Sequence, residues 1–86
     1  MRFDVTVNVR GVEGIADPEG RTIERALGVL GFECASLVRV GKVITLVVDA
    51  DNADVAETQV REMCDRLLAN PVIERYEISI TQAAVA

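Results

Sequence analysis

Histidine is absent from this sequence of 86 residues, and aromatic side chains are scarce. Without an imidazole there is no base that titrates near neutral pH, no catalytic triad of the usual kind and no histidine ligand for a metal. The three aromatic residues, Phe3, Phe32 and Tyr76, are too few for a platform on which nucleic-acid bases stack. These absences exclude most of the chemistry that so short a chain could perform alone.

Positive charge is also in short supply. Nine Lys and Arg stand against fourteen Asp and Glu, for a net charge of −5 and an isoelectric point near 4.6. Nucleic-acid binding is disfavoured, because such proteins need cations to neutralise phosphates. No apolar run approaches the ~20 residues of a membrane span, and the first residues lack the design of a signal peptide. We therefore expect a cytoplasmic chain that binds neither nucleic acid nor membrane.

The nucleophiles and carboxylates do not form a site by their spacing. Cys34 and Cys64 match no metal or redox motif, and both are expected to be small core residues. Asp49 and Asp51 lack the further acidic ligands that a calcium loop requires. The sequence predicts no catalytic residue, no bound cofactor and no metal site in this chain.

Hydrophobic patterning predicts one α+β domain over residues 1–86, with a frayed tail at 81–86. Apolar alternation or Val, Leu and Ile enrichment indicates four strands, at 3–9, 34–40, 43–49 and 73–80. The pair Gly41-Lys42 between the middle two predicts a tight hairpin. The element order is that of a ferredoxin-like βαββαβ sandwich, with a four-stranded antiparallel sheet and both helices on one face.

The first predicted helix is marked at both ends. Asp17 is placed to cap it and Pro18 to occupy its first position, while Gly31 is expected to end it. Its apolar stripe comprises Ile23, Ala26, Leu27 and Leu30.

The second predicted helix begins after a capping Asp51 and ends at Asn70-Pro71. Glu57–Arg61 and Glu62–Arg66 are acid-first pairs at helical spacing, each worth a few tenths of a kcal/mol.

The predicted strand 43–49 is apolar on both faces. Ile44 and Leu46 share one face, and Val43 and Val47 lie on the other. A single layer of helices covers only one face, and a domain of this size buries a modest share of its surface. We therefore expect this chain to associate with itself.

Two groups of residues qualify as anion sites, and each has a simpler interpretation. A helix N-terminus attracts anions, but Asp17 and Glu19 already place negative charge there, so plain capping is favoured. Arg39 and Lys42 could bind a phosphate or an acidic partner, or they could serve only to make an exposed turn soluble.

Three stretches together resemble the PurS family, the small subunit of phosphoribosylformylglycinamidine (FGAM) synthase. They are Asp17-Pro18-Glu19-Gly20, Val38-Arg39-Val40-Gly41-Lys42 and the run from Met63 to Glu74, within which Leu67–Glu74 is the most specific part. The resemblance covers almost the whole chain in order.

The resemblance implies a function that depends on partners. In that family a glutaminase subunit releases ammonia, and a large ATP-using synthetase subunit adds it to formylglycinamide ribonucleotide in purine biosynthesis. The small subunit, a homodimer or homotetramer, bridges the two and assists ammonia transfer; ATP, Mg and glutamine are used by the partner subunits. The motif match implies these partner-contact residues: Asp17, Gly20, Arg39, Gly41, Lys42, Asn70 and Pro71.

The chain departs from the family pattern in a longer loop at 11–16, in Glu19 where glutamine is common, and in Arg75 where an acid is common. An altered loop would change any contact that it makes with the synthetase subunit. No departure removes a helix cap or an apolar strand.

One alternative is a regulatory module that resembles an ACT domain and binds a small effector at a dimer interface. It shares the element order, but Leu67–Glu74 is not part of its pattern. An acylphosphatase-like enzyme fits less well, because neither Asn8 nor Asn70 is placed to position its water.

Overall fold

The computed structural model describes residues 1–82 and has an α+β fold. Its elements in chain order are β1 (Arg2–Gly11), α1 (Pro18–Val29), β2 (Gly41–Asp49), α2 (Ala53–Met63) and β3 (Glu74–Gln82). A π-helical turn, Cys64–Leu68, continues α2.

The three strands form one antiparallel sheet in the order β2-β1-β3. In the central register Val5 of β1 lies between Leu46 of β2 and Ile80 of β3. These three side chains lie on the same face of the sheet, the inner face, which packs against α2. Since side chains alternate along a strand, every second residue of each strand also lies on the inner face. The alternation predicted for the first and last strands is confirmed.

The core lies between β1 and α2. β1 is flanked on both edges, and its inner side chains are the most deeply buried of the sheet: Phe3, Val5, Val7 and Val9. α2 and its π-helical turn cover them with Ala56, Val60 and Cys64, all fully buried. The sheet and α2 therefore make a small but complete hydrophobic core.

α2 begins one residue later than predicted. Asn52, not Asp51, caps it, and the Asn52 side chain accepts a hydrogen bond from the Val55 amide at 2.9 Å. The predicted ion pairs Glu57–Arg61 and Glu62–Arg66 are confirmed at 2.8 and 3.2 Å. Regular α-helix ends at Met63 rather than next to Pro71, and the π-helical turn extends the helical segment to Leu68.

The predicted four-stranded sheet is not confirmed, because residues 34–40 form no strand. The predicted hairpin is wrong as well: Gly41 and Lys42 already belong to β2 and pair with β1. The physical reason is a competition for backbone donors. The amides of Val38 and Val40 donate to the carboxylates of Glu24 and Asp17 rather than to a neighbouring strand.

The predicted layer of two helices on one face is also not confirmed. α2 packs on the sheet, whereas α1 makes no extensive contact with any strand among the described residues. Leu30, at the end of its apolar stripe, is 71% exposed. The Cα radius of gyration is 16.8 Å, compared with about 12 Å expected for a compact chain of this length. We refer to residues 18–40 as the α1 arm.

Three further predictions concern the two cysteines and the C-terminal tail. Cys64 is buried as predicted, but Cys34 is exposed. Thr81 and Gln82 belong to β3 rather than to the predicted tail, whose remaining residues lie outside the described part of the chain. No helix within residues 1–82 has the length and apolar character needed to cross a membrane.

Candidate functional site

Asp17 holds two segments of the chain together. One carboxylate oxygen accepts a hydrogen bond from the Gly20 amide at 2.8 Å, which is the predicted capping role. The other oxygen accepts from the Val40 amide, also at 2.8 Å. Both bonds favour the charged carboxylate, first the one from Val40 and then the one from Gly20, and they lower the pKa of Asp17. We call this arrangement the Asp17 clamp.

Gly20 is required by the close approach of the two segments in the clamp. A Cβ atom at this position would lie against the Val38 carbonyl oxygen and within 2.9 Å of the Asp17 carboxylate. Neither neighbour can move away without disturbing the hydrogen bonds of Asp17 and of residues 38–40. The glycine in the stretch Asp17-Pro18-Glu19-Gly20 is therefore explained by packing against residues 38–40.

Two more hydrogen bonds strengthen the attachment. Glu24 of α1 accepts from the Val38 amide at 3.0 Å. Arg39 donates from Nη1 to the carbonyl oxygen of Ile15 at 2.9 Å. The loop after β1, the start of α1 and the segment before β2 are thus joined at one end of the sheet.

A second rigid segment lies between the π-helical turn and β3, at the same end of the sheet. The Asn70 side chain accepts from the Val72 amide at 3.0 Å, and its backbone amide donates to Glu74 at 2.7 Å. Ile73 accepts a backbone hydrogen bond from Val12 at 2.9 Å, which ties the segment to the loop after β1. Pro71 is held inside this turn.

An open cleft of about 930 Å³ lies between these two segments, and we call it the end cleft. Its charged lining residues are Arg10, Glu13, Asp17, Arg39, Glu74 and Arg75. The apolar side chains of Leu37 and Val72 also line it. A smaller depression of about 280 Å³ lies beside the end cleft and is lined by residues of β1, β2 and β3.

The structure brings the predicted contact residues to this one end of the sheet. Asp17, Arg39 and Pro71 line the end cleft. Gly41 and Lys42 line the smaller depression. Gly20 and Asn70 shape the segments on either side. Their role in contacting partners stays a prediction.

Two exposed apolar residues of the end cleft, Leu37 and Val72, are not among the predicted contact residues. Leu37 lies in a segment whose composition predicts a strand, and no local pattern distinguishes it from its neighbours. Val72 follows Pro71 within the most specific motif, which is the one signal for it in the sequence. Arg75 stands out in the sequence only as a departure from the family pattern.

Two titratable side chains near α2, Cys64 and Tyr76, have raised pKa values. Cys64 is buried, and removal from water raises the pKa of its thiol, which favours the unreactive protonated form. The Tyr76 hydroxyl donates to Asp65 at 2.8 Å, and this bond raises the pKa of Tyr76. Within residues 1–82 no three His, Cys, Asp or Glu side chains are grouped as metal ligands would be.

The family model that matches this chain is described as PurS, phosphoribosylformylglycinamidine (FGAM) synthase, and it matches residues 4–82. The subunit PurS of FGAM synthase from Methanothermobacter thermautotrophicus is 44% identical over 82 residues, which are 95% of this chain and 96% of that protein. The corresponding subunit from Methanocaldococcus jannaschii is 42% identical, over 91% of this chain and 94% of its own length.

Solved structures agree with the sequence relatives. PurS from B. subtilis has a TM-score of 0.85 at 34% identity, covering 93% of this chain and 99% of that one. A chain in the structure of PurLQS from Thermotoga maritima also has a TM-score of 0.85, at 36% identity and with 94% and 99% covered. These comparisons do not support the ACT-like alternative. This chain belongs to the PurS family of FGAM synthase subunits.

Proposed function

We propose that this chain is the non-catalytic small subunit of FGAM synthase (EC 6.3.5.3) in purine biosynthesis. The observation that carries the proposal is the match of nearly the whole chain to PurS subunits, one of which was solved within a PurLQS complex. The surface agrees with a role in assembly, because the end cleft offers guanidinium, carboxylate and apolar groups together.

Within the complex, the chain bridges the glutaminase and the ATP-dependent synthetase subunits and assists the transfer of ammonia between them. ATP, Mg and glutamine are then bound by those partners, and formylglycinamide ribonucleotide is converted on the synthetase. The cytoplasmic location expected from the sequence belongs to the same proposal.

The subunit associates with itself as a homodimer or homotetramer. α1 is a helix of 12 residues, and isolated helices shorter than about 12–15 residues are marginal in water. Its apolar stripe has no extensive cover from residues 1–82, and Val43 and Val47 on the outer face of β2 are exposed too. Contact with further copies would bury these surfaces and stabilise the helix.

Reconstitution tests the bridging role. Glutamine-dependent and ammonia-dependent synthesis of FGAM are measured with the two partner subunits, with and without this chain. Because ammonia added to the solution needs no transfer between subunits, we expect omission of the chain to abolish the glutamine-dependent reaction and to spare the other. Unchanged glutamine-dependent turnover in its absence would contradict the proposal.

A further inference from the structure

The sheet has two free edges, and the two differ in how well they are protected against pairing with a further strand. β1 lies in the middle, so β2 and β3, of nine residues each, both leave one edge unpaired within residues 1–82. β3 carries Glu74, Arg75 and Glu77, and it also packs against α2. Charged side chains on an edge strand discourage the addition of another strand, so the β3 edge is protected.

The β2 edge has no such protection. Its charged residues are Lys42 and Asp49, near its two ends, and residues 43–48 between them are Val, Ile, Leu and Thr. Its register with β1 runs from Gly41 to Asp49 without a bulge. Among residues 1–82, β2 packs extensively only against β1, and none outside β1 exchanges a hydrogen bond with its backbone. A long, regular and apolar edge of this kind is a template for the addition of a strand.

The sequence of β2 is complementary to itself in the antiparallel direction. When Thr45 lies opposite Thr45 of a second copy, Val43 lies opposite Val47 and Ile44 opposite Leu46. All nine residues then find a partner, and the inner and outer faces of the two sheets continue into each other. A shift of one residue would place inner side chains opposite outer ones. A shift of two would place Val43 opposite Thr45 or Asp49 and leave both ends unpaired.

The charges of β2 also fit a second copy. The whole chain has a net charge of −5, but β2 carries one cation and one anion and is neutral. In the antiparallel register Lys42 of one copy lies near the Asp49 end of the other. A parallel register would instead place like charges opposite each other, which is unfavourable. Pairing between copies of this acidic chain is therefore not opposed by the charges of the strand itself.

We infer that two copies of this chain pair through the free edges of β2, antiparallel and about a two-fold axis at Thr45. The two three-stranded sheets then form one continuous sheet in the order β3-β1-β2-β2-β1-β3. Such a contact uses the same surface on both copies, so it closes on itself and leaves the charged β3 edges outermost. The inference rests on the self-association in the proposed function and names the surface through which two copies meet.

Cysteine crosslinking tests the position of the axis. In a Cys34→Ser background, which removes the exposed native thiol, Thr45→Cys places two thiols opposite each other. Directly opposed Cβ atoms on paired strands lie about 4.5–5.5 Å apart, so a short thiol-to-thiol crosslinker should convert most of the chain into a covalent dimer. The matched control is Ser79→Cys, which should give little dimer. Ser79 is exposed like Thr45 and pairs with the same residue of β1, Thr6, but it lies on the β3 edge.

A charge exchange tests the register. Val47→Lys places a cation opposite the apolar Val43 of the second copy and should raise the dissociation constant of self-association by roughly tenfold or more. Adding Val43→Glu places a carboxylate opposite each new cation and should restore most of the affinity. Within one copy the two positions are about 13 Å apart along the strand, too far to pair. Both valines are exposed, at 62% and 50%, so the variants should remain folded. Sedimentation equilibrium measures the three dissociation constants.

The outcomes separate this inference from the proposed function. Crosslinking of Ser79→Cys but not Thr45→Cys, or a dissociation constant that Val47→Lys leaves unchanged, overturns the β2 pairing and leaves self-association intact. A double variant that stays as weak as Val47→Lys overturns the register centred on Thr45. Weaker binding to the glutaminase or synthetase subunit with unchanged self-association would assign the edge to a partner subunit instead. A wild-type chain that sediments as a monomer at all concentrations overturns both the pairing and the proposed self-association.

Discussion

The two halves of this molecule, the sheet with α2 and the α1 arm, both carry apolar side chains but differ in how far these are buried. In the half formed by the sheet and α2, apolar side chains meet one another and are buried; Phe3 on β1 is 3% exposed. In the α1 arm, apolar side chains remain in contact with solvent; Leu30 of the helical stripe is 71% exposed, and Phe32, which follows α1, is 55% exposed.

The difference lies in what holds each half in place. The sheet half is held by burial, which is the larger contribution to stability. The arm is held near its base by hydrogen bonds that the Asp17 and Glu24 carboxylates accept from backbone amides, while Ile23 and Leu30 of its apolar stripe are exposed. A small protein can in this way keep a stable core while it directs a second hydrophobic surface toward other chains.

The two phenylalanines of the chain give the strongest test of this contrast. Phe3→Ala should lower the free energy of unfolding by about 3–5 kcal/mol, because it empties a buried site. That is a large part of the ~5–15 kcal/mol typical of a domain. Phe32→Ala should change it by less than about 0.5 kcal/mol under conditions where the chain is a monomer. Urea unfolding of both variants measures the two values, and equal losses would contradict the division into two halves.

A pair of glycines tests the attachment of the arm. In Gly20→Ala the new Cβ meets the Val38 carbonyl oxygen and should separate residues 38–40 from α1, at a cost of about 1–3 kcal/mol. In the control, Gly28→Ala, the new Cβ has nothing within 4 Å, so the variant should gain about 0.5–1 kcal/mol from the better helix former. Thermal unfolding shows whether each variant is more or less stable than the wild type. A Gly20→Ala variant with unchanged stability would show that the close contact is not required.

The Asp17 clamp should make the arm sensitive to acid. A carboxyl whose pKa is lowered by folding contributes its full stabilisation above its ordinary pKa of about 3.9. That stabilisation is lost as the pH falls through the lowered pKa. Asp17→Asn should therefore be less stable than the wild type at neutral pH and should approach it near pH ~2. Melting temperatures of the two proteins across this range measure the effect; a constant difference at all pH values would argue against it.

The smallest expected effect lies in the sheet half, at Tyr76. Its hydroxyl donates to Asp65, so the absorbance change of tyrosinate formation should appear at higher pH than in free tyrosine. Asp65→Asn should move the titration back toward the ordinary value near 10. Since Tyr76 is the only tyrosine in the sequence, the signal belongs to one residue. A titration that Asp65→Asn leaves unchanged would contradict the assigned cause.

Most of the individual helices and strands could be predicted from local patterns, but their arrangement as a four-stranded sheet under two helices was not confirmed. Alternating valines identified β1, and Asp17-Pro18 with Gly31 marked both ends of α1. Residues 34–40 could not be predicted, because their Val and Leu content is that of a strand while their amides are taken by carboxylates distant in sequence. Such a competition between hydrogen bonds is decided by tertiary structure.

The candidate site was predictable only in part. Asp17, Arg39 and Pro71 came from motifs, and the structure places all three around the end cleft. Leu37 could not be recognised, because a leucine carries no local signal for the positive φ angle, +57°, that it has here. Nor could a pattern within one segment show that Val72, far along the chain, shares a cleft with it.

The proposed division into a self-sufficient half and an arm that another copy stabilises is tested most directly by amide hydrogen exchange at several protein concentrations. At high concentration, where we propose that copies associate, we expect α1 and the sheet both to be protected. On dilution, protection of α1 should disappear while that of β1 persists, because only the sheet half has a complete core of its own. Equal protection of α1 and β1 in a chain that sediments as a monomer would contradict the division.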